Sequence, residues 1–170
     1  MAGIYCAPLD GQTGSAAVYA LLERAFRAEH GGAAPRIAKT PAGKPYFTER
    51  PEIHFSLSHT KTHVLCVVSS VPVGADIESP RQISRRAISY FSSPGEQSLF
   101  DPLDLWVLKE SYIKLRGGTL ALIKSSRFSL DGSRIIAPEE GVFSKLYNIA
   151  GCRAAVSTLG APPPDQFKII

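Results

Sequence analysis

Asp76 and Glu78 flank Ile77 at the end of the apolar run Val73 to Glu78. Strand alternation sends both carboxylates to one face and Ile77 to the other. Two neighbouring anions require compensation. Glu110 and Lys114 lie four residues apart on one helical stripe, with Trp106 one turn earlier. Trp106 can pack, Glu110 can add a third hard oxygen ligand, and Lys114 can set an ammonium beside a bound phosphate. Three carboxylates with few geometric restrictions suit Mg²⁺, which keeps waters and completes its octahedron with substrate phosphate oxygens. A plainer description also holds: two solvated carboxylates at a strand end and an ordinary helical ion pair. Ser56-Leu57-Ser58-His59 can hold a phosphate or merely end a strand, and Gly43-Lys44-Pro45, with Arg36 and Lys39, can grip a phosphate or be a solvated basic turn.

These residues need elements to position them. Gly3 to Ala7 reads as a buried strand, and Ala16 to Ala28 as a helix with Thr13 or Ser15 at its start and Gly31-Gly32 at its end. Arg36 to Pro51 reads as a basic loop. Ile53 to His59 alternates as a strand with one buried face, and His63 to Ser69 and Val73 to Glu78 follow as strands divided at Pro72. Ser79-Pro80, Ser93-Pro94 and Asp101-Pro102 each set a capping residue before a proline, predicting three helices; Glu96 completes a capping box in the second. The third runs from Pro102 to Arg116 and stops at Gly117-Gly118. A hairpin through Asp131-Gly132 comes next, then strands Val142 to Ile149 and Cys152 to Thr158. The tail, residues 161–170 with Pro162-Pro163-Pro164, is expected to be extended or loosely packed. Segregated strands and helices indicate α+β.

With 170 residues, 44% hydrophobic and 20% charged, the chain can bury one substantial core rather than two independent ones. Cys6, Cys66 and Cys152 are odd in number and sit among small or apolar neighbours, which favours buried thiols and a reducing cytoplasm. No apolar run approaches the roughly 18 to 20 residues of a membrane span, and Met1 to Tyr5 shows no basic region followed by a long apolar stretch, so neither membrane insertion nor export is expected. A net charge of +4 favours anionic partners without choosing one, but no basic stripe interleaved with aromatics points to nucleic acid.

Taken in order, Gly43-Lys44-Pro45, Phe55 to His59, Val73 to Glu78 and Trp106 to Lys114 resemble the 4'-phosphopantetheinyl transferase superfamily, in particular its larger monomeric members. The resemblance runs from about residue 36 to 130. It implies two similar α+β halves related by a pseudo-two-fold, here residues 1–72 and 73–170, with coenzyme A in the cleft between them. It further implies that Asp76, Glu78 and Glu110 bind Mg²⁺ as cofactor, that Ser58 and His59 contact phosphates, and that Lys44 lies near the nucleotide end with Arg36 available beside it. Lys109 and Lys114 would face the pyrophosphate. Phosphopantetheine would pass to a serine of an apo acyl carrier protein, with Glu110 as base and Lys114 stabilising charge.

Such carriers are acidic helical bundles, so Arg81, Arg85 and Arg86, on the helix expected after the carboxylate strand, form a candidate docking face; a solvated basic face is the alternative. The pattern departs from the family in lacking a longer basic stretch before Gly43, where Arg24, Arg27, Arg36 and Lys39 remain, and in reducing an arginine-plus-two-aromatics element to Ser89-Tyr90-Phe91. A non-catalytic module binding coenzyme A or a carrier is the competing reading, and intact Asp76, Glu78, Glu110 and Lys114 weigh against it.

Overall fold

In the computed structural model, which describes residues 2–11 and 13–170, the first apolar run is strand β1, Ala2–Pro8. Helix α1, Gly14–His30, starts where the Thr13 hydroxyl accepts the Ala16 N–H and ends at Gly31, whose N–H returns to Arg27 O. Ala17, Val18, Leu21, Leu22, Ala25 and Phe26 form its buried stripe. The basic segment expected to be a loop contains a small hairpin, β2 (Ile37–Lys39) and β3 (Pro45–Phe47), turned by Gly43 at φ 87°. The turn brings Lys44 round, and the fully buried Phe47 anchors the hairpin to the core. Strands β4 (His54–His59), β5 (His63–Ser69) and β6 (Val73–Glu78) follow.

Three helices do come next, but the first is not started by Ser79-Pro80. Helix α2 is Arg85–Phe91, capped by the Ser84 hydroxyl on the Ala87 N–H, so Arg81 lies before it and pairs with Glu78 instead. Helix α3, Pro94–Leu99, has the Ser93/Glu96 capping box, and α4, Pro102–Arg116, is capped by Asp101 and ends on left-handed Gly117. After a short 3-10 turn at Leu120–Ile123 come the hairpin β7 (Ser129–Asp131) and β8 (Arg134–Ile136), and the long pair β9 (Val142–Ile149) and β10 (Cys152–Leu159).

Two sheets carry this mixed α+β fold, one ordered β11-β1-β5-β4, where β11 is Lys168–Ile169, and the other β6-β10-β9. Along the chain, the first is laid down as a strand, a helix, a small hairpin and an antiparallel pair, and the second as a strand, three helices, a small hairpin and an antiparallel pair; in each the first strand pairs with the last of that series. Apolar residues separate into three clusters. One fills the space between α1 and the first sheet, another, around Ile4, Leu65, Val67, Val73, Ile77 and Val156, holds the two sheets face to face, and the third seats α4 on the second sheet. The order of layers is therefore helix, sheet, sheet, helix.

The tail is not loose. Strand β11, Lys168–Ile169, pairs in parallel with β1 at Tyr5 and Cys6, Phe167 packs edge-on against Tyr147, and the Tyr147 hydroxyl donates to Pro164 O at 2.6 Å. Residues after 72 thus help build the first sheet. Cys6, Cys66 and Cys152 are buried free thiols, and burial pushes Cys6 up to about 11. No helix among the described residues is long and apolar enough to cross a membrane.

Candidate active site at the seam between the sheets

Strand β6 is the edge of its sheet, and its outward amides are met by serines of β4, the edge of the other. The Ser56 hydroxyl accepts the Ala75 N–H at 2.8 Å, and the Ser58 hydroxyl accepts the Ile77 N–H at 3.3 Å. Edge amides buried without partners would each cost about 1–3 kcal/mol, so the two hydroxyls make this seam possible. On the face of β6 turned from the central core, Gly74 allows α4 to lie directly against the strand; a Cβ there would overlap Ser111 O and Leu115 N. The close approach sets the half-buried stripe Trp106, Glu110 and Lys114 beside Asp76 and Glu78, the two carboxylates that alternation sends to one face.

Asp76 is buried at 6% exposure. Its Oδ1 accepts from the Ser58 hydroxyl at 2.8 Å and from the Lys114 ammonium at 2.7 Å, whereas Oδ2 is buried with no hydrogen-bond partner. Lys114 also makes a long contact, 3.5 Å, to Leu57 O. Glu78 accepts from Trp106 Nε1 at 3.1 Å and pairs with Arg81 at 3.3 Å, so the indole does more than pack. Burial, then the charges of Asp76 and Glu78, push the Glu110 carboxyl up, against the pull of Lys114. The three carboxylates feel one another, but among the described residues no group of three acidic, histidine or cysteine side chains forms a ready-made metal cage. Lys114 and Ser58 hold one side of Asp76, and Trp106 and Arg81 hold Glu78. The donors nonetheless fit a hard divalent cation. A buried carboxylate oxygen without a protein donor needs a water or a cation to meet it, and Mg²⁺ takes only one or two carboxylates when phosphate oxygens complete its shell.

Lys44 joins this site from the hairpin. Its ammonium donates to Leu115 O at 2.7 Å and Val73 O at 3.3 Å, and burial, then Arg116, lowers its pKa to about 8. A cavity of about 230 Å³ is lined by Gly43, Lys44, Pro45, Ser56, Leu57 and Lys114 among others. A larger depression, about 1210 Å³, lies along residues 133–145 and Pro162 to Pro164, and none of the four motifs lines it.

Three expected ligand-binding residues stand elsewhere or are otherwise engaged. Lys109 is fully buried, its ammonium 2.9 Å from Glu96 and donating to Ser126 O at 2.7 Å and Ile123 O at 3.1 Å, so its hydrogens are spent away from the cleft. Burial lowers its pKa, partly offset by Glu96. Burial alone would raise Glu96, but hydrogen bonds from Ser93, Lys109 and Phe128 hold it below the usual range. The signal was present in the helix: Lys109 falls on the apolar stripe Leu105, Lys109, Ile113, about 100° from Glu110. Arg36 is exposed, 3.9 Å from Glu49, and His59 is exposed beside Gly14 in the first turn of α1. Glu96 and Gly74 went unremarked as partners; a strand glycine signals close approach by another backbone.

A site that sets fixed ammonium groups and carboxylates at a seam between two sheets has the chemistry to hold a phosphorylated group. Comparison with known proteins makes the class definite. The chain is 31% identical over 152 residues to 4'-phosphopantetheinyl transferase Sfp of Bacillus subtilis (strain 168), a match covering 79% of this chain and 68% of that one. It is 32% identical over 152 residues to 4'-phosphopantetheinyl transferase ffp of Bacillus subtilis, with the same coverage, and 35% identical over 103 residues to 4'-phosphopantetheinyl transferase psf-1 of Bacillus pumilus, covering 53% of this chain and 44% of that one. No family model matches the chain. The chain belongs to the 4'-phosphopantetheinyl transferase family and is a transferase.

Proposed function

We propose that this protein transfers 4'-phosphopantetheine from coenzyme A to a serine of an apo acyl or peptidyl carrier protein, dependent on Mg²⁺, releasing adenosine 3',5'-bisphosphate. The observation that carries the reading is the convergence of four motifs distant in sequence: Gly43 to Pro45, Ser56, Leu57 and Lys114 line one cavity, and Lys114 reaches from its wall to Asp76 at 2.7 Å, where Glu78 and Glu110 add their charges. Its 230 Å³ is small beside the roughly 300–1,000 Å³ of sites that enclose a whole ligand, so it receives one end of coenzyme A while the remainder lies along the seam. Residues 1–72 and 73–170 act as two similar halves, the second lending β11 to the first, and the repeated order β1-β5-β4 and β6-β10-β9 supports a pseudo-two-fold between them.

Asp76, through Oδ2, with Glu78 and Glu110, would hold the Mg²⁺, which when bound neutralises pyrophosphate charge and aligns it for in-line displacement. Lys114, already fixed by Asp76, presents a further hydrogen to the phosphate on which charge develops. Glu110 takes the proton of the carrier serine. Lys44 holds the hairpin against the end of α4 and so shapes the nucleotide end of the cavity. Exposed Arg81, Arg85 and Arg86 offer cations to an acidic carrier, and the protein acts as a monomer.

The reading is tested by intact-mass spectrometry of an apo carrier protein incubated with this protein, coenzyme A and Mg²⁺. A gain of one phosphopantetheine, lost with EDTA and in Asp76→Ala, is the expected result. Binding of coenzyme A with no mass change on several unrelated carriers would instead establish a binding module.

A further inference from the structure

We propose that Ser58 is a positioning residue for Asp76 rather than a phosphate ligand: its hydroxyl turns the carboxylate so that Oδ2 is the oxygen presented to a divalent cation. The inference rests on the Mg²⁺ reading above and concerns how the chain prepares for the ion. A serine hydroxyl has one hydrogen. Here the geometry directs it to Asp76 Oδ1 at 2.8 Å, while the oxygen receives the Ile77 N–H at 3.3 Å. Ser58 is itself buried at 8% exposure, so the hydrogen has no second role at the surface. The Lys114 ammonium closes on the same Oδ1 at 2.7 Å. Both donors therefore sit on one edge of the carboxylate, and the other oxygen is left buried and unpartnered. A carboxylate held in this way offers a ligand from one oxygen only. Hydrogen-bonded ligands of this kind bind metal more tightly because orientation is fixed beforehand.

Ser56 supplies an internal control. It makes the same tie to the same strand, accepting the Ala75 N–H at 2.8 Å, yet no contact to Asp76 is made by its hydroxyl. Mn²⁺ binding, followed by electron paramagnetic resonance without coenzyme A, separates the two serines, since Mn²⁺ takes the same oxygen ligands as Mg²⁺. Ser56→Ala and Ser58→Ala should both lower the thermal midpoint. Only Ser58→Ala should weaken Mn²⁺ binding, by about 10- to 100-fold, with little change in KM for coenzyme A at saturating metal. Should alanine prevent folding, Ser58→Cys keeps the volume with a much weaker donor, and the same loss of affinity is expected. Unchanged Mn²⁺ affinity with a raised KM for coenzyme A would overturn the proposal and return Ser58 to the phosphate. A wild-type protein that takes up no Mn²⁺, or turns over in EDTA, would defeat the metal reading itself and the proposal with it.

Discussion

Gly74→Ala tests whether the close approach of α4 to β6 builds the site. Gly74 has no left-handed φ, so alanine brings no backbone penalty and would by itself stabilise the chain by about 0.4–1 kcal/mol through lost unfolded-state freedom. Sterics oppose this. The added Cβ would lie 2.0 Å from Ser111 O, 2.2 Å from Leu115 N and 2.8 Å from Leu115 Cα, the first about 1 Å inside the 3.0 Å limit of real Cβ contacts. All three belong to the helix backbone, so no side chain can turn aside, and α4 must move outward by at least that amount. Overpacking of this kind costs about 1–3 kcal/mol, which exceeds the entropic gain. The displaced helix carries Glu110 and Lys114, and Lys114 stands 2.7 Å from Asp76. A misplacement near 1 Å can cost about 100-fold in rate. Urea denaturation should show a lower midpoint, and carrier modification followed by mass should show kcat falling by between 10- and 100-fold, with the larger loss if the Lys114 to Asp76 contact breaks. A variant with wild-type midpoint and kcat would refute the idea that this glycine sets the helix.

Lys109→Met should cost up to about 3–5 kcal/mol in urea denaturation, because it leaves the buried Glu96 carboxylate with only the half-exposed Arg127, 3.3 Å away, as counter-charge; adding Glu96→Gln should recover part of the loss, and no recovery would mean the pair is not the cause. Glu110→Gln is expected to lower kcat by about 100-fold or more while coenzyme A still binds, and retained turnover with normal metal binding would remove Glu110 as base. Reversing Arg85 and Arg86 to Glu should raise the KM for carrier protein, and more so at low salt, with little effect on that for coenzyme A; equal effects on both would reject this docking face.

Where a residue's neighbours in sequence decide its structure, the sequence was legible. Strands β5 and β6 and helix α4 lie where alternation, Pro72, Asp101-Pro102 and Gly117 place them. Ser79-Pro80 misled because a cap and a proline permit a helix start without requiring one, and Ser84 supplied the cap instead. Pairing over long distances left no local mark: Lys168 and Ile169 read as tail until β1 is beside them. The carboxylates of Asp76 and Glu78 were found by period, and Lys109 was misjudged by adjacency to Glu110. Next-door residues on a helix point about 100° apart, and burial of a lysine depends on an acid that only the fold brings near. Ser58 was recognised within its motif, but that its hydroxyl meets Asp76 requires knowing that two sheet edges abut.

The parallel pairing of β11 with β1 reaches beyond architecture into the order of folding. Lys168 Nζ donates to Tyr5 Oη across 163 positions of chain, at 3.2 Å, and the Ile170 N–H donates to Cys6 O at 2.9 Å. Closing so large a loop is entropically slow, and contacts this distant can form only after everything between them has left the ribosome. Until then β1 presents an open edge, the kind of strand to which other chains add. The last residues described are thus a seal on the first sheet, closing an edge to which another chain could otherwise add.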